Sequence, residues 1–203
     1  MTPIRVLIAD DQQLVRGALA ALLAMEEDID VVGEAGRGDE VPDAVARLEP
    51  DVVLMDIEMP GGSGIEATRR LRAAGSRCAV VIVTTFGRPG YLQRALAEGV
   101  SGFVVKDTPP AQLAEAVRRV HAGLRVIDPS LAEQSLLARE NPLTEREAEV
   151  CRAAAAGAGV KEIAASLHLS GGTVRNHLSS VIGKTSARNR HEAVRVAEEN
   201  GWL

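Results

Sequence analysis

Polar side chains that could do chemistry follow four short apolar runs in the first half of the 203-residue chain. They are three carboxylates, a hydroxyl and an ammonium: Asp10, Asp11, Asp56, Thr84 and Lys106. Clustered carboxylates repel one another unless a hard cation lies between them, and Mg²⁺ prefers a few carboxylate oxygens together with water. An Asp beside such an ion can act as a nucleophile toward a phosphoryl group, while Lys and Thr stabilise the phosphoryl oxygens. The set therefore predicts phosphoryl transfer to Asp56 with Mg²⁺ as cofactor.

These residues can act together only if the fold brings them to one place. Five short runs are continuously apolar, which is typical of strands buried on both faces of a parallel sheet. The runs are Ile4 to Ala9, Val31 to Ala35, Val52 to Met55, Val80 to Val83 and Gly102 to Val105. They alternate with predicted helices over residues 12–25, 39–48, 64–74, 89–98 and 110–122. The alternation predicts an α/β domain over residues 1–122, with a doubly wound five-stranded parallel sheet.

The polar residues lie at the ends of these predicted strands, where an open α/β sheet binds its ligands. Taken singly, each residue has a simpler interpretation. Asp10 or Asp11 could cap the next helix, and Lys106 could be a solvated strand end. Their joint placement at four strand ends favours a shared site instead. Asp56 ends the central strand, so we expect it to be the nucleophile.

Composition and charge narrow the class of protein. With 46% hydrophobic and 25% charged residues, the chain is expected to be globular rather than disordered or fibrous. It has no run of about 18 to 20 apolar residues, and its start does not resemble a signal peptide, so we expect a cytoplasmic protein without a membrane partner. Cys78 and Cys151 are far apart in apolar surroundings, which favours two buried thiols over a disulfide or metal site.

The net charge of -5 is unevenly distributed along the chain. Residues 1–122 hold 13 basic and 18 acidic residues, whereas residues 123–203 hold 10 of each. Within residues 159–190 five basic residues face one acidic residue, Glu162. An acidic first half is therefore followed by a locally basic segment, which permits contact with nucleic acid.

The second half shows helix signals and no strand signal. We predict a linker over residues 123–141, with a short helix near residues 131–138, and a four-helix domain over residues 142–203. Thr144 and Glu147 have the spacing of a capping box, which predicts a helix that ends near Ala156. Three further helices are expected at Lys161 to Leu167, after the N-cap residue Ser170, and at Arg190 to Asn200.

The third of these helices has the pattern of a DNA-reading helix. Apolar residues share one face, and the opposite side carries Arg175, Asn176 and Ser179. Arg can bond guanine and Asn can bond adenine in the major groove, each through two hydrogen bonds. Basic residues that could neutralise phosphates flank the helix: Lys161, Lys184, Arg188 and Arg190. The simpler alternative is an ordinary surface helix with solvated charges.

The first half resembles the receiver domain of two-component response regulators. The resemblance rests on four segments: I-A-D-D (8 to 11), L-M-D-I-E-M-P-G-G-S-G (54 to 64), V-T-T-F (83 to 86) and G-F-V-V-K-D (102 to 107). It implies that Asp56 is the phosphoacceptor and that Lys106 and Thr84 bind the phosphoryl group. It also implies that Mg²⁺ is bound by Asp10, Asp11, Asp56 and the backbone carbonyl of Glu58, and that Phe103 is an aromatic switch residue.

The second half resembles a LuxR-type helix-turn-helix domain. The matching segments are L-T-E-R-E-A-E-V (143 to 150), K-E-I-A-A-S-L-H-L-S (161 to 170), T-V-R-N-H-L (173 to 178) and N-R-H-E-A-V (189 to 194). Together the two halves resemble transcriptional regulators of the NarL/FixJ family. This implies a sensor histidine kinase and promoter DNA as partners, with RNA polymerase as a further one. Residues 84–91 resemble the subgroup of desaturase regulators.

We also expect phosphorylation to favour a homodimer. Apolar residues occupy about half the circumference of the first helix, more than one side of a sheet requires. The predicted dimer surface combines this helix with the fifth: Leu14, Ala18, Leu113 and Val117. In this hypothesis Thr84 moves toward Asp56 and Phe103 moves inward. Packing of the wide face against the linker or the second domain is the alternative.

Two other functions remain open at this point. A Mg²⁺-dependent aspartyl-phosphate phosphohydrolase could use the same carboxylates, but such an enzyme commonly has an Asp as general acid two residues after the nucleophile. This chain has Glu58 there. A phosphorylation-independent protein-binding module is the other alternative, and the complete set of site residues argues against it.

Overall fold

The computed structural model of the chain describes residues 2–85, 91–136 and 141–203. Their contacts form two compact units, one that includes the described residues up to 85 together with 92–134, and one that includes residues 141–203. The first unit is a parallel α/β structure and the second is helical. The predicted fold class is therefore confirmed. The first unit extends past residue 122 into the segment that we predicted as a linker.

The sheet of the first unit is fully parallel, with strand order β2-β1-β3-β4-β5-β6. Its strands are β1 (Ile4–Ala9), β2 (Ile29–Ala35), β3 (Val52–Met55), β4 (Ala79–Thr84), β5 (Gly102–Val105) and β6 (Val126–Ile127). All four residues of β3 are buried, as expected for a central strand covered by helices on both faces. The order brings the ends of β1, β3, β4 and β5 next to one another.

The sixth strand corrects our prediction of a five-stranded sheet. The Val126 N–H donates to the Ser101 carbonyl at 3.1 Å, and the Asp128 N–H donates to the Phe103 carbonyl at 2.9 Å. These bonds hold β6 against β5 at the edge of the sheet. A strand of two residues is too short to show an alternating or continuous apolar pattern, so periodicity could not predict it.

Each of the first five strands is followed by a helix, and these five helices cover the sheet: α1 (Gln13–Leu23), α2 (Val41–Leu48), α3 (Gly64–Ala73), α4 (Tyr91–Ala97) and α5 (Pro110–His121). The sixth helix, α6 (Pro129–Leu136), follows β6. The predicted helices over 89–98 and 131–138 extend at one end into segments outside the described residues. Among the described residues, no helix combines the length and apolarity needed to cross a membrane.

One core cluster lies between the sheet and the helices α1 and α5. Leu19 and Leu23 of α1 and Leu113 and Val117 of α5 pack there against apolar residues of the strands. An ion pair supports this packing from outside the core, because Arg118 of α5 donates to Asp28 at 2.8 Å. The two helices are therefore fixed beside each other on one face of the sheet.

The second unit contains four helices within residues 141–203: α7 (Glu145–Ala155), α8 (Val160–Ser166), α9 (Gly171–Thr185) and α10 (Arg190–Glu199). The predicted capping box is present, because the Thr144 hydroxyl accepts from the Glu147 N–H and the Glu147 carboxylate accepts from the Thr144 N–H. The Ser170 hydroxyl caps α9 by accepting from the Thr173 N–H at 3.0 Å. Trp202 is buried in the core that α7, α9 and α10 share.

Both cysteines are buried and free, as expected from their surroundings. Burial raises the pKa of the Cys151 thiol to about 11, so this side chain is a neutral part of the core at neutral pH. Cys78 accepts a hydrogen bond from the Ser76 hydroxyl at 3.2 Å. The Cys151 thiol therefore lacks the depressed pKa of a reactive cysteine.

Candidate phosphoacceptor site and DNA interface

Three carboxylates meet at the carboxyl ends of β1 and β3. Asp10, Asp11 and Asp56 each offer an oxygen atom, and these atoms lie within 4.8 Å of one another. Asp10 and Asp56 are buried, whereas Asp11 is exposed. The strand order therefore assembles the acidic cluster that the sequence predicted, with one open side toward solvent.

Lys106 joins the cluster from the end of β5. Its ammonium lies 2.9 Å from Asp56 Oδ2 and 2.7 Å from Asp10 Oδ2. Burial raises the pKa of Asp56, and the hydrogen bond from Lys106 opposes this effect without cancelling it. Burial lowers the pKa of Lys106, but the two carboxylates outweigh it and the net pKa is raised. Lys106 thus remains charged and holds the two buried carboxylates together.

Backbone hydrogen bonds fix the position of Asp56. Its N–H donates to the Ala9 carbonyl at 2.8 Å, and its Oδ1 accepts from the Ile57 N–H at 2.8 Å. The loop then turns back, so that a Cβ built on Gly64 would lie 2.1 Å from the Asp56 carbonyl oxygen. Because only glycine permits this approach, Gly64 allows α3 to begin directly behind the carboxylate.

The remaining residues of the predicted site lie around this cluster. Thr84 is buried at the end of β4, and its carbonyl accepts from the Lys106 N–H at 2.7 Å. Glu58 is exposed, two residues after Asp56 in the loop that leads to α3. Phe103 is 0% exposed in the interior of β5. The expected inward movement of Phe103 is therefore not available to it from this conformation.

The donor set fits a hard divalent cation. Lys106 is at ion-pair distance from Asp10 Oδ2, yet this buried oxygen has no hydrogen bond of regular geometry among the described residues. A buried carboxylate oxygen in this condition can accept a further ligand at low cost. Together with oxygens of Asp11 and Asp56, it offers the chemistry that Mg²⁺ prefers.

One residue that contacts the acidic cluster was not predicted from the sequence. Arg16 of α1 donates to the Asp10 carbonyl at 2.6 Å and to Glu34 Oε2 at 2.8 Å. Its position six residues after Asp10 gives no signal by itself, because the contact depends on how the chain turns between β1 and α1. Arg16 is therefore a neighbour of the acidic cluster that only the structure identifies.

The predicted dimer surface needs a correction in α5. Leu113 is 3% exposed and Val117 is 0% exposed, because both side chains pack against the sheet. Neither residue is available to a second molecule. In α1, by contrast, Leu14 is 86% exposed and Ala18 is exposed. These two residues begin an apolar row that includes Leu22 of α1 and Met25 in the turn after the helix. We name this row the α1 stripe: Leu14, Ala18, Leu22 and Met25.

The second unit presents the polar side of α9 to solvent. Arg175, Asn176 and Ser179 are exposed, whereas Val174 and Leu178 on the other side are buried. The three exposed side chains thus share the accessible side that sequence periodicity predicted. Lys161 of α8 is exposed, and Arg190 is half-buried at the start of α10. Arg188 forms an ion pair with Glu192 at 3.1 Å.

Lys184 has a different environment from the one we expected. Its ammonium lies 2.6 Å from Glu147 Oε2, and the Ser180 hydroxyl donates to Glu147 Oε1 at 2.6 Å. Burial raises the pKa of Glu147, but the bonds from Lys184, Ser180 and Thr144 outweigh it and lower the pKa to about 2. The structure thus gives Lys184 a partner inside its own domain.

Known proteins match both units of the chain. Residues 6–118 match the response regulator receiver domain, and residues 141–197 match the luxR family of bacterial regulatory proteins. The transcriptional regulatory protein DesR of Bacillus subtilis (strain 168) is 46% identical over 200 residues, which are 98% of this chain and 99% of that protein. The subgroup predicted from residues 84–91 remains a prediction, and residues 86–90 lie outside the described ones.

Solved structures of response regulators also match the chain. The response regulator ChrA of a heme-sensing two-component system is 32% identical and covers 100% of both chains, with a TM-score of 0.61. The response regulator RcsB in complex with DNA is 25% identical over 98% of this chain and 99% of that chain, with a TM-score of 0.67. Another structure shows two RcsB dimers bound to two parallel DNAs. These matches give no support to the phosphohydrolase or to the phosphorylation-independent binding module.

Proposed function

Because the chain belongs to the NarL/FixJ-type response regulators, with a receiver domain and a luxR-type DNA-binding domain, we propose that phosphorylation of Asp56 controls its binding to promoter DNA. The observation that carries this proposal is the contact of Lys106 with both Asp56 and Asp10 inside a cluster of three carboxylates. A sensor histidine kinase is the proposed phosphoryl donor, and RNA polymerase is a proposed further partner.

The site's own residues divide the chemistry among them. When bound by Asp10, Asp11, Asp56 and the Glu58 carbonyl, Mg²⁺ would neutralise charge on the acidic groups and the phosphoryl oxygens. The Asp56 carboxylate is the nucleophile, and the Ile57 N–H at 2.8 Å holds one of its oxygens in place. Lys106 leaves its carboxylate partners and pairs with the phosphoryl group, while the Thr84 hydroxyl donates to it.

DNA recognition belongs to the exposed side of α9. Arg175 and Asn176 bond base edges, and the exposed Ser179 extends the same side by one helical turn. Lys161 and Arg190 contact phosphates, which hold the helix on the duplex without reading sequence. The structure of RcsB with DNA supports the assignment of this unit to promoter binding.

The α1 stripe is the proposed contact of a phosphorylated homodimer. Leu14 and Met25 are large apolar side chains that are mostly exposed, and the exposed residues Ala18 and Leu22 of α1 lie between them in the chain. Such a row gains from burial against a second copy, at roughly 25 cal/mol for each Å² of apolar surface. The RcsB dimers on DNA support dimeric binding in this family.

Replacement of Asp56 tests the phosphoacceptor. With Mg²⁺ and a small acyl phosphate as donor, we expect intact-mass spectrometry to show an adduct of about 80 Da on the wild type and none on Asp56→Asn. Asp107→Asn serves as the matched control, since Asp107 is an exposed carboxylate beside Lys106. This control should be labelled like the wild type. An adduct that persists on Asp56→Asn would assign the phosphate to another residue.

A further inference from the structure

Arg16 makes two directed contacts beside the acidic cluster. Its side chain is 16% exposed, although it carries a full positive charge. Nη1 donates to the Asp10 carbonyl oxygen at 2.6 Å, and Nε donates to Glu34 Oε2 at 2.8 Å. Glu34 anchors the guanidinium from the neighbouring strand β2, so the contact with Asp10 is held in a defined geometry.

The orientation of the Asp10 carbonyl affects the positions of two carboxylates of the site. It belongs to the peptide group that joins Asp10 to Asp11, the two acidic residues that follow β1. On the other side of Asp10, its N–H donates to the Ala35 carbonyl at 3.1 Å. The Asp10 side chain is also fixed, because Oδ1 accepts from the Gln12 N–H at 2.9 Å. Arg16 thus adds a further constraint on the backbone that carries both carboxylates.

We infer that Arg16 is a positioning residue for the cation site, because it orients the Asp10–Asp11 peptide so that the two carboxylates converge with Asp56. This inference rests on the proposed function, in which these carboxylates bind Mg²⁺. Arg16 touches neither the cation nor the phosphoryl group. It acts through the backbone, as outer-shell partners of metal ligands do.

The direction in which loss of Arg16 changes the Mg²⁺ affinity distinguishes a positioning role from a purely electrostatic one. A positive charge close to three carboxylates repels Mg²⁺, so loss of the charge alone would tighten cation binding. Loss of the hydrogen bond to the Asp10 carbonyl would instead let the two carboxylates spread and weaken binding. The two effects have opposite directions, and the measured direction shows which one dominates.

The experiment is a Mg²⁺ titration of the full-length, unphosphorylated protein, followed by the amide NMR shifts of residues 9–12 and 56–57. We expect Arg16→Met to raise the Kd for Mg²⁺ about tenfold. Arg16→Lys keeps the charge but loses the planar fork that reaches two acceptors, so its Kd should lie between those of Arg16→Met and the wild type. Arg37→Met is the matched control, because Arg37 pairs with Asp39 near the same edge of the sheet.

A kinetic measurement adds a second readout. In phosphorylation by a small acyl phosphate, Arg16→Met should shift the half-saturating Mg²⁺ concentration upward, while the rate at saturating Mg²⁺ stays close to that of the wild type. In Arg37→Met, the rate at saturating Mg²⁺ should be unchanged. Its half-saturating Mg²⁺ concentration should be unchanged or slightly lower. A purely structural role for Arg16 would lower the melting temperature and leave the Mg²⁺ affinity of the folded protein unchanged.

Each outcome assigns the result to one hypothesis. Equal or tighter Mg²⁺ binding by Arg16→Met overturns the positioning role, whereas absence of Mg²⁺ binding by the wild type overturns the proposed cation site itself. If Arg16→Met does not fold, Arg16→Lys decides the question. Since this variant keeps the charge, electrostatics alone predicts an unchanged Kd for Mg²⁺. Only loss of positioning predicts a higher Kd.

Discussion

Lys106 and Lys184 both bond buried carboxylates, but the two pairs have different consequences for function. Lys106 lies at the edge of the sheet beside two carboxylates, and in the proposed function it exchanges these partners for the phosphoryl group. Lys184 closes a network in which Glu147 has three donors. Removal of Lys184 would leave the buried Glu147 carboxylate without its charged partner. In the proposed function the same residue type thus binds a ligand in one unit and supports the structure in the other.

Arg175 and Lys161 should have separable effects on DNA binding. A lost bidentate base contact costs about 1 to 3 kcal/mol on the correct sequence, so Arg175→Ala should reduce the preference for a specific duplex over a scrambled one. A lost phosphate contact weakens all sequences alike, so Lys161→Ala should also lower the salt slope by about one unit. Fluorescence anisotropy titrations at several salt concentrations measure both quantities.

The duplex for this experiment is the site recovered by genome-wide footprinting of the phosphorylated protein. Ser166→Ala is a suitable control, because its hydroxyl donates to the Ile163 carbonyl within α8 and carries no charge. It should bind both duplexes like the wild type. If Arg175→Ala loses the same free energy on the specific and the scrambled duplex, Arg175 contacts phosphate rather than bases.

At the scale of elements, Glu147 connects the first helix of the DNA-binding unit to its recognition helix. Its carboxylate caps α7 through the Thr144 N–H and accepts from Ser180 and Lys184 of α9. A single side chain therefore satisfies a helix terminus and fixes the angle between two helices. The orientation of the exposed side of α9 depends on this contact.

We predict that Glu147→Gln lowers the free energy of unfolding by about 1 to 3 kcal/mol at pH 7, because an amide cannot accept all three bonds. The pKa of Glu147 is lowered from 4.5 to about 2 in the folded protein. The stabilisation is therefore fully present above pH 4.5 and is lost as the pH falls toward 2. The difference between wild type and variant should shrink over the same range.

Urea unfolding followed by tryptophan fluorescence measures this difference, since the chain has one tryptophan and Trp202 lies in this unit. Glu149→Gln is the control on the same helix, because its ion pair with Arg146 is partly exposed and should contribute less than about 1 kcal/mol. A pH-independent difference between wild type and Glu147→Gln would contradict the lowered pKa.

Elements with a strong local signal were predictable from the sequence. The continuous apolar runs gave the five longer strands, and side-chain capping gave the starts of α7 and α9. The convergence of Asp10, Asp56 and Lys106 followed from the parallel topology, because strand ends share one edge. These features depend on short-range sequence patterns and on one general rule of topology.

Features that depend on tertiary contacts were not predictable. The strand β6 exists because its backbone meets β5, and two residues show no periodicity. Leu113 and Val117 have helical spacing, but spacing does not say whether a face meets the sheet or a second molecule. The contacts of Lys184 with Glu147 and of Arg16 with Asp10 join residues whose proximity only the folded chain establishes.

At the scale of the whole molecule, the proposed function requires that phosphorylation in one unit changes DNA binding by the other. Each unit has its own core, and the second unit carries its recognition helix within residues 141–203. A dimer formed through the first unit would present two recognition helices to one DNA site. Half-sites about one helical turn apart would then be bound together, which multiplies the affinity of a single unit.

The α1 stripe can be tested with a matched pair of leucines. Leu14 is 86% exposed on the stripe, and Leu124 is 53% exposed outside it. We expect light scattering to show that phosphorylated wild type and phosphorylated Leu124→Asp form dimers, whereas Leu14→Asp remains monomeric, because a charge at the interface would lose its hydration. Leu14→Asp should still be phosphorylated, since Leu14 is not part of the carboxylate cluster.

DNA binding supplies the second half of this test. Phosphorylated Leu14→Asp should bind a duplex with two half-sites as weakly as a duplex with one, because it binds each half-site as a separate monomer. The wild type and Leu124→Asp should prefer the two-site duplex. A phosphorylated Leu14→Asp that still dimerises would exclude the α1 stripe as the contact. Dimers that do not prefer the two-site duplex would instead show that dimerisation and DNA binding are uncoupled, since the contact would form without bringing both recognition helices to the same DNA.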